Sequence, residues 1–148
     1  MFENSNLHLE VFVKESLQYL NEENRRKTFK KWVFTKKEVC NADKMAEAGF
    51  IYTGTKQEPD SVKCFFCAKP LDGWEATDDP WKEHLSHAPN CSFAKLQQQQ
   101  DNITMETFLD LREELLYRTM DIYMDALRDY AEKAGKAMFK DICRILDK

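Results

Sequence analysis

The spacing Cys64-x2-Cys67-x16-His84-x6-Cys91 limits the folds open to this chain more than any other feature of it. It lies in "KCFFCAKPLDGWEATDDPWKEHLSHAPNC", which holds three of the five cysteines and two of the three histidines. A C-x2-C pair at a β-turn aims two thiolates at one ion. A histidine and a third cysteine complete a tetrahedral S, S, N, S set with no open position, which is the chemistry of a structural rather than a catalytic zinc. Such a site supplies about 10–16 kcal/mol of apparent folding energy, which replaces the apolar core that a small sheet lacks. The spacing leaves the choice of histidine open, because His84 and His87 lie three apart on one helical face. A two-zinc cross-brace would need His8 and Cys40 as well, and neither has a paired partner nearby. Cys40 and Cys143 read as core or surface thiols. With three thiols tied to metal and no Ser/His/Asp or phosphate-cradling glycine pattern, the chain is expected not to be an enzyme.

At 148 residues, with 43% apolar and 32% charged side chains and a net charge of −4, the chain reads as one small globular domain plus an extension. The opening "MFENSNLHLEVFV" has acids where an export signal needs bases, and no stretch approaches the ~20 apolar residues of a membrane helix, so an intracellular, reducing setting is expected. There, clustered cysteines bind metal more often than they form disulfides. Charge is unevenly placed. Arg25, Arg26, Lys27, Lys30, Lys31, Lys36 and Lys37 form a basic run without an acid, while Asp72, Glu75, Asp78, Asp79 and Glu83 oppose only Lys82. The basic run reads equally as a solvated face and as a binding patch. Sequence-specific DNA binding is disfavoured by the acidic total and by the lack of a C-x2-C…H-x3-H spacing.

Residues 7 to 21 place Leu9, Phe12, Val13, Ser16, Leu17 and Leu20 at helical steps. Phe29, Trp32 and Phe34 then offer aromatic anchors. "ADKMAEAGF" predicts a two-turn helix stopped at Gly49, with Met45 and Ala48 inward and Phe50 packed past the cap. "FIYTG" and "VKCFFC" predict short antiparallel strands, and "DDPWKEHLSHA" a helix with Asp79 at its N-cap and Pro80 at its first position. The expectation is an α+β fold in three parts: a zinc-stapled module over 7–96 with a small antiparallel three-stranded sheet, short helices and an N-terminal helix; a polar linker over 97–103; and one long helix over 104–147. That helix would be roughly 65 Å long, more than the small module can cover, so part of it is expected to enter a coiled coil or bundle with another chain.

"TFKKW", "MAEAGFIYTG", "KCFFCAKPLDGWEATDDPWKEH" and "HAPNC" resemble, in order and spacing, the baculoviral inhibitor-of-apoptosis repeat (BIR). A single repeat followed by one long helix is similar to the survivin-like branch of that family, and the resemblance runs from about residue 17 to 111. It implies one structural Zn2+ on Cys64, Cys67, His84 and Cys91, with His87 free. It also implies a groove beside the last strand, at Leu71, Asp72, Trp74 and Asp78, that captures the free amino terminus of a peptide beginning with alanine. A carboxylate pair suits an α-ammonium, and an indole wall suits a methyl. In survivin-like members the peptide is the tail of histone three phosphorylated on its third-position threonine. Lys69 and His87 match the phosphate-receiving positions, and Glu83 a position near the later, basic part of the tail. Asp72 is one methylene shorter than the usual glutamate and Thr77 replaces an acid, so weaker capture of the tail is expected. The branch's Thr-Pro mitotic phosphorylation site falls on Asn41-Ala42, so that control is expected to be absent.

The resemblance further implies an adaptor of the chromosomal passenger complex. Its long helix joins borealin and the inner centromere protein and so brings Aurora B kinase to chromatin. The implied locations are the nucleus, the chromosome and centromere in mitosis and the spindle midzone, with the cytoplasm also open. The root of the helix can instead support a homodimer, and Leu17, Leu20, Met105, Phe108, Leu111 and Leu115 fall at that interface or at the borealin contact. The alternative is an inhibitor of apoptosis that acts on caspases or on Ala-starting peptides that antagonise such inhibitors. It relies on free segments flanking the repeat, and here the N-terminal flank is expected to be helical.

Overall fold

The computed structural model describes residues 9–146; Leu7 and His8, at the start of the expected first helix, and Asp147, at the end of the last, lie outside them. The order is α1 (Leu9–Leu17), a 3-10 turn over Gln18–Leu20, α2 (Glu22–Arg26), α3 (Ala42–Glu47), β1 (Phe50–Tyr52), β2 (Val62–Cys64), β3 (Pro70–Leu71), α4 (Pro80–His87), α5 (Ser92–Leu96), a second 3-10 turn over Gln100–Asn102, and α6 (Met105–Leu146). The strands form one antiparallel sheet in the order β1-β2-β3, with Phe50 opposite Cys64 and Val62 opposite Leu71. The α+β fold with a small three-stranded sheet and one long C-terminal helix is as the sequence implied.

Local chemistry explains the element ends. Asn41 caps α3 by accepting from the Lys44 amide at 3.0 Å, and Asp79 caps α4 by accepting from the Trp81 and Lys82 amides, with Pro80 at the first position. Gly49 ends the α3 segment at φ +90°, and a Cβ there would sit 2.6 Å from Phe93 Cε1. The site therefore needs glycine twice over, for the backbone and for the close approach of α5. Behind it, Met45, Ala48, Phe50, Val62, Phe66, Trp74 and Phe93 form the core.

Arg25 departs from the solvated reading of the basic run. It is fully buried, and donates to the carbonyls of Ala46 (2.8 Å), Tyr19 (2.7 Å) and Leu20 (3.0 Å). Its guanidinium lies 4.8 Å from the Phe65 ring centroid and 5.3 Å from that of Phe93. One side chain thus joins the end of the N-terminal helical segment, α3, the C-x2-C turn and α5. Burial lowers its pKa to about 10, which leaves it charged at neutral pH.

The segment 97–103 is held down rather than loose. Gln100 Oε1 accepts from the Glu22 amide at 2.7 Å, and Gln99 Nε2 donates to Glu47 at 3.2 Å. These bonds fix where α6 begins, and Thr104 caps it by accepting from the Thr107 amide at 3.1 Å. The first part of α6 packs on the domain and on α1. Leu111 and Leu115 are 4% and 3% exposed, and Phe12 meets Tyr123 with ring centroids 5.6 Å apart. Placement of Leu111 and Leu115 at an interface with another chain is corrected by that burial, because both are spent on the chain's own core. Leu17, Leu20 and Phe108 are partly buried, and Met105 is 72% exposed.

Replacing Gly49 with alanine should lower stability by about 2–4 kcal/mol, the sum of left-handed backbone strain and overpacking against Phe93. Denaturant unfolding of the metal-loaded protein checks it; an unchanged midpoint would mean that α5 moves aside freely.

Candidate metal centre and adjoining acidic cleft

Four side chains from three places converge behind the sheet. Cys64 ends β2, Cys67 follows in the turn after it, His84 lies in the middle of α4, and Cys91 sits at the N-cap of α5. Their ligand atoms all lie within 4.8 Å of one another, and the four residues are buried except for Cys67, which is partly so. Cys67 Sγ stands 3.8 Å from His84 Nε2. Tetrahedral zinc, with Zn–S near 2.3 Å and Zn–N near 2.0 Å, separates its ligands by about 3.5–3.8 Å. The cluster fits such an ion.

The surroundings prepare these groups as ligands. His84 Nδ1 lies 2.7 Å from the Ala48 carbonyl, which only accepts, so Nδ1 carries a proton and Nε2 is the ring nitrogen turned toward the thiols. Cys64 Sγ accepts from the amides of Phe66 (3.3 Å) and Cys67 (3.4 Å). Burial first, and then Cys67 and Cys91, push the Cys64 thiol well above its ordinary range, while hydrogen bonds from Cys64 and Cys91 hold Cys67 far below it. Burial disfavours the His84 imidazolium, but bonding to Cys67 and Cys91 overrides it and raises the pKa to about 9. Protein groups alone can therefore balance the charge only by keeping protons inside the cluster. A divalent cation does it directly, and three thiolates with one dication leave a single negative charge that Arg25, within electrostatic reach of Cys64, offsets.

The structure also decides between the histidines. His87, one turn after His84, is solvent-exposed, with Nε2 3.6 Å from Glu83 Oε2. Cys40 is buried away from the cluster, with Sγ 3.6 Å from Met45 Sδ, and burial first, then Asp78 and Asp60, push its thiol up to about 12. It is an inert core thiol.

Beside the metal cluster, a cleft of about 120 Å3 is lined by Leu71, Asp72, Gly73, Trp74, Asp78, Glu83 and His87. It gathers six of the seven residues expected to bind peptide; Lys69, exposed on the turn before β3, is not among its lining residues. β3 is an edge strand, so its outer backbone groups are unpaired by the sheet, and its Leu71 lines the cleft. Trp74 is buried on its far side, T-shaped on Phe50 at 5.3 Å, and its amide donates to Asp60 at 2.9 Å, which makes the indole a fixed wall. Asp78 bonds the Glu75 amide at 2.8 Å, closing the turn that carries it. Three carboxylates face one small space, which suits a cationic group.

The BIR family, described as the Inhibitor of Apoptosis domain, matches residues 25–95. Baculoviral IAP repeat-containing protein 5.2-A of Xenopus laevis is 46% identical over 87 residues, covering 59% of this chain and 55% of that protein. Protein 5.1-B of the same species is 39% identical over 118 residues, covering 80% of this chain and 74% of that protein. A solved structure, DIAP1 BIR1 bound to a Grim peptide, is similar over 59% of this chain and 82% of that one, at 31% identity and a TM-score of 0.46. The chain thus spans a little over half the length of the first of these relatives and about three quarters of the second. It belongs to the BIR family, and its single repeat with a C-terminal helix is that of the survivin-like, protein 5 branch.

Elemental analysis should find about one zinc per chain in the parent and in His87→Ala, and far less in His84→Ala. Chelation should collapse the domain, and near-ultraviolet circular dichroism would show it. Equal zinc in both histidine variants would remove His84 from the ligand set.

Proposed function

We propose that this protein is a non-enzymatic adaptor. A zinc-stapled BIR module captures the amino terminus of a histone-three tail phosphorylated on its third-position threonine, and the long helix assembles with borealin and the inner centromere protein, with Aurora B kinase following. The observation that carries the reading is the cleft in which Asp72, Asp78 and Glu83 meet beside the Trp74 wall and the edge strand β3. An extended peptide adds to such an edge through its backbone, while the carboxylates neutralise its α-ammonium and basic side chains. His87 supports a role for the phosphate, since it stands at the rim with its ring free of the metal, and exposed Lys69 offers a second cation. Zinc is the ion assigned to the cluster, since the three thiolates and one imidazole are its ligand types. The sites of action that follow are the nucleus, the mitotic chromosome and centromere and the spindle midzone.

The alternative, inhibition of caspases or capture of Ala-starting antagonist peptides, shares the same ammonium-binding cleft. Against the caspase form, the N-terminal flank is occupied: α1 lies on α6, with Phe12 against Tyr123.

Calorimetry at physiological salt with zinc-loaded protein and a free-amino-terminus histone-three tail peptide tests the reading. Phosphorylation should tighten binding about tenfold, and His87→Ala should remove that gain while leaving the unphosphorylated peptide's affinity unchanged. Equal binding of both peptides would reject phosphate recognition.

A further inference from the structure

The seven bases between Arg25 and Lys37 do not form one surface. Arg25 is in the core, and Arg26 is engaged by Glu23 and, at 3.5 Å, by Asp43. The other five, Lys27, Lys30, Lys31, Lys36 and Lys37, are all exposed, and none enters an ion pair among the described residues. Glu38 is the one acid between Thr28 and Cys40, and its carboxylate accepts from Thr35 Oγ1 at 2.6 Å rather than meeting a lysine. In a chain with a net charge of −4, five unneutralised cations on one short segment form a local field of opposite sign.

The segment is also held in place. Phe29 is buried, Trp32 meets Phe29, Phe34 and Tyr52 edge-on at 5.4, 5.9 and 6.1 Å, and its Nε1 donates to the Cys40 carbonyl at 2.9 Å. The aromatic residues are thus spent inward, and the lysines between them point to solvent. That arrangement narrows the ligand. With Trp32 and Phe34 engaged, the face has no ring free to stack on unpaired bases or to enter a bilayer. Lys27, Lys30, Lys31 and Lys36 line none of the described clefts, so a single small anion has no pocket there. A set of exposed point cations on one short, anchored segment, with no pocket between them, fits a long, regularly charged polyanion.

We propose that the face formed by Lys27, Lys30, Lys31, Lys36 and Lys37 binds duplex DNA through its phosphate backbone without reading sequence. It shares no residue with the acidic cleft, so both can be occupied at once, and the inference stands whether or not that cleft reads a histone tail. Lys37 stands at the edge of the face, lining a neighbouring cleft that also holds Glu38, Lys44, Glu47 and, at the start of α4, Asp79 and Trp81; α4 carries Glu83 and His87 further on. A peptide in the acidic cleft would then be held close to the DNA.

The test is fluorescence anisotropy of a labelled duplex of ~20 base pairs with the full zinc-loaded chain across a salt series. The expected dissociation constant is about 10−6 to 10−4 M, independent of sequence, with log K falling against log salt at a slope of about −3 to −4.5 for three to five neutralised phosphates. The Lys30→Glu, Lys31→Glu, Lys36→Glu and Lys37→Glu variant should bind at least ~10-fold more weakly with a flatter slope, while the same four positions changed to arginine should retain binding. Thermal unfolding of both variants confirms that they fold. The proposal is overturned by absent or salt-independent binding, or by an unaffected glutamate variant. It is also overturned by an equal loss in Lys133→Glu with Lys136→Glu on α6, or by capture on phosphatidylserine vesicles without capture of duplex.

Discussion

The domain is organised around the point where Cys64, Cys67, His84 and Cys91 meet, because there the end of β2, α4 and α5 converge on one small cluster. A three-residue strand paired with another three-residue strand and a two-residue edge cannot hold itself together. Ligand geometry replaces the missing sheet. It also dictates the neighbourhood: the Ala48 carbonyl must face His84, so α3 must end there, and Gly49 lets the chain turn immediately into β1. The cap of α3, the start of the sheet and the second shell of the metal cluster are one piece of backbone.

Arg25 is the other half of that arrangement. A cluster of three thiolates around a dication keeps one negative charge, and a buried negative charge needs a partner. The guanidinium answers it from beside the Phe65 and Phe93 rings, within electrostatic reach of Cys64, while its N–H groups close the carbonyl ends of the N-terminal segment and α3. Lysine could supply the charge but not the planar fork that reaches three carbonyls.

This explains which parts were legible in the sequence. The cysteine spacing, the Asp79-Pro80 start of α4 and the Gly49 stop are set by rules that act within a few residues, and each is present in the structure. The α+β class and the long helix follow from the same local patterns. Arg25 was not legible, since its partners Ala46, Phe65 and Phe93 are distant in sequence and its neighbours are surface lysines. Nor was the anchoring of 97–103, which rests on Glu22 and Glu47 receiving two glutamines that alone read as low-complexity chain. Ala68 adopts φ 61°, a position that favours glycine, and only the closure of the cysteine turn, with its amide on the Cys64 carbonyl at 3.1 Å, accounts for it. The acidic cleft lies between these cases. Its residues stand out as a charged run, but their convergence needs the turn from β3 to bring Asp72 back toward α4.

The long helix shows the same division between local and distant causes. Leu111, Leu115 and Thr119 step by four residues, so they lie on one side of the helix and reach the domain together, with the Thr119 hydroxyl returned to the Leu115 carbonyl at 2.7 Å to allow its burial. A straight helix leaves a compact domain after a few turns, and among the described residues most of α6 beyond Tyr123 is exposed. There Tyr130, Met138, Phe139 and Ile145 are 56%, 64%, 69% and 70% exposed. Ion pairs within the helix, from Asp125 to Arg128 and Glu132 to Lys136, contribute only a few tenths of a kcal/mol each. Helix propensity and these pairs suffice to write the segment as a helix, but not to hide its apolar side. One face of the proximal stretch, at Leu111, Leu115 and Thr119, is therefore committed to the chain's own core, while its outer side at Met105, Leu109 and Tyr117 and the whole distal stretch remain open to the assembly role proposed for the helix.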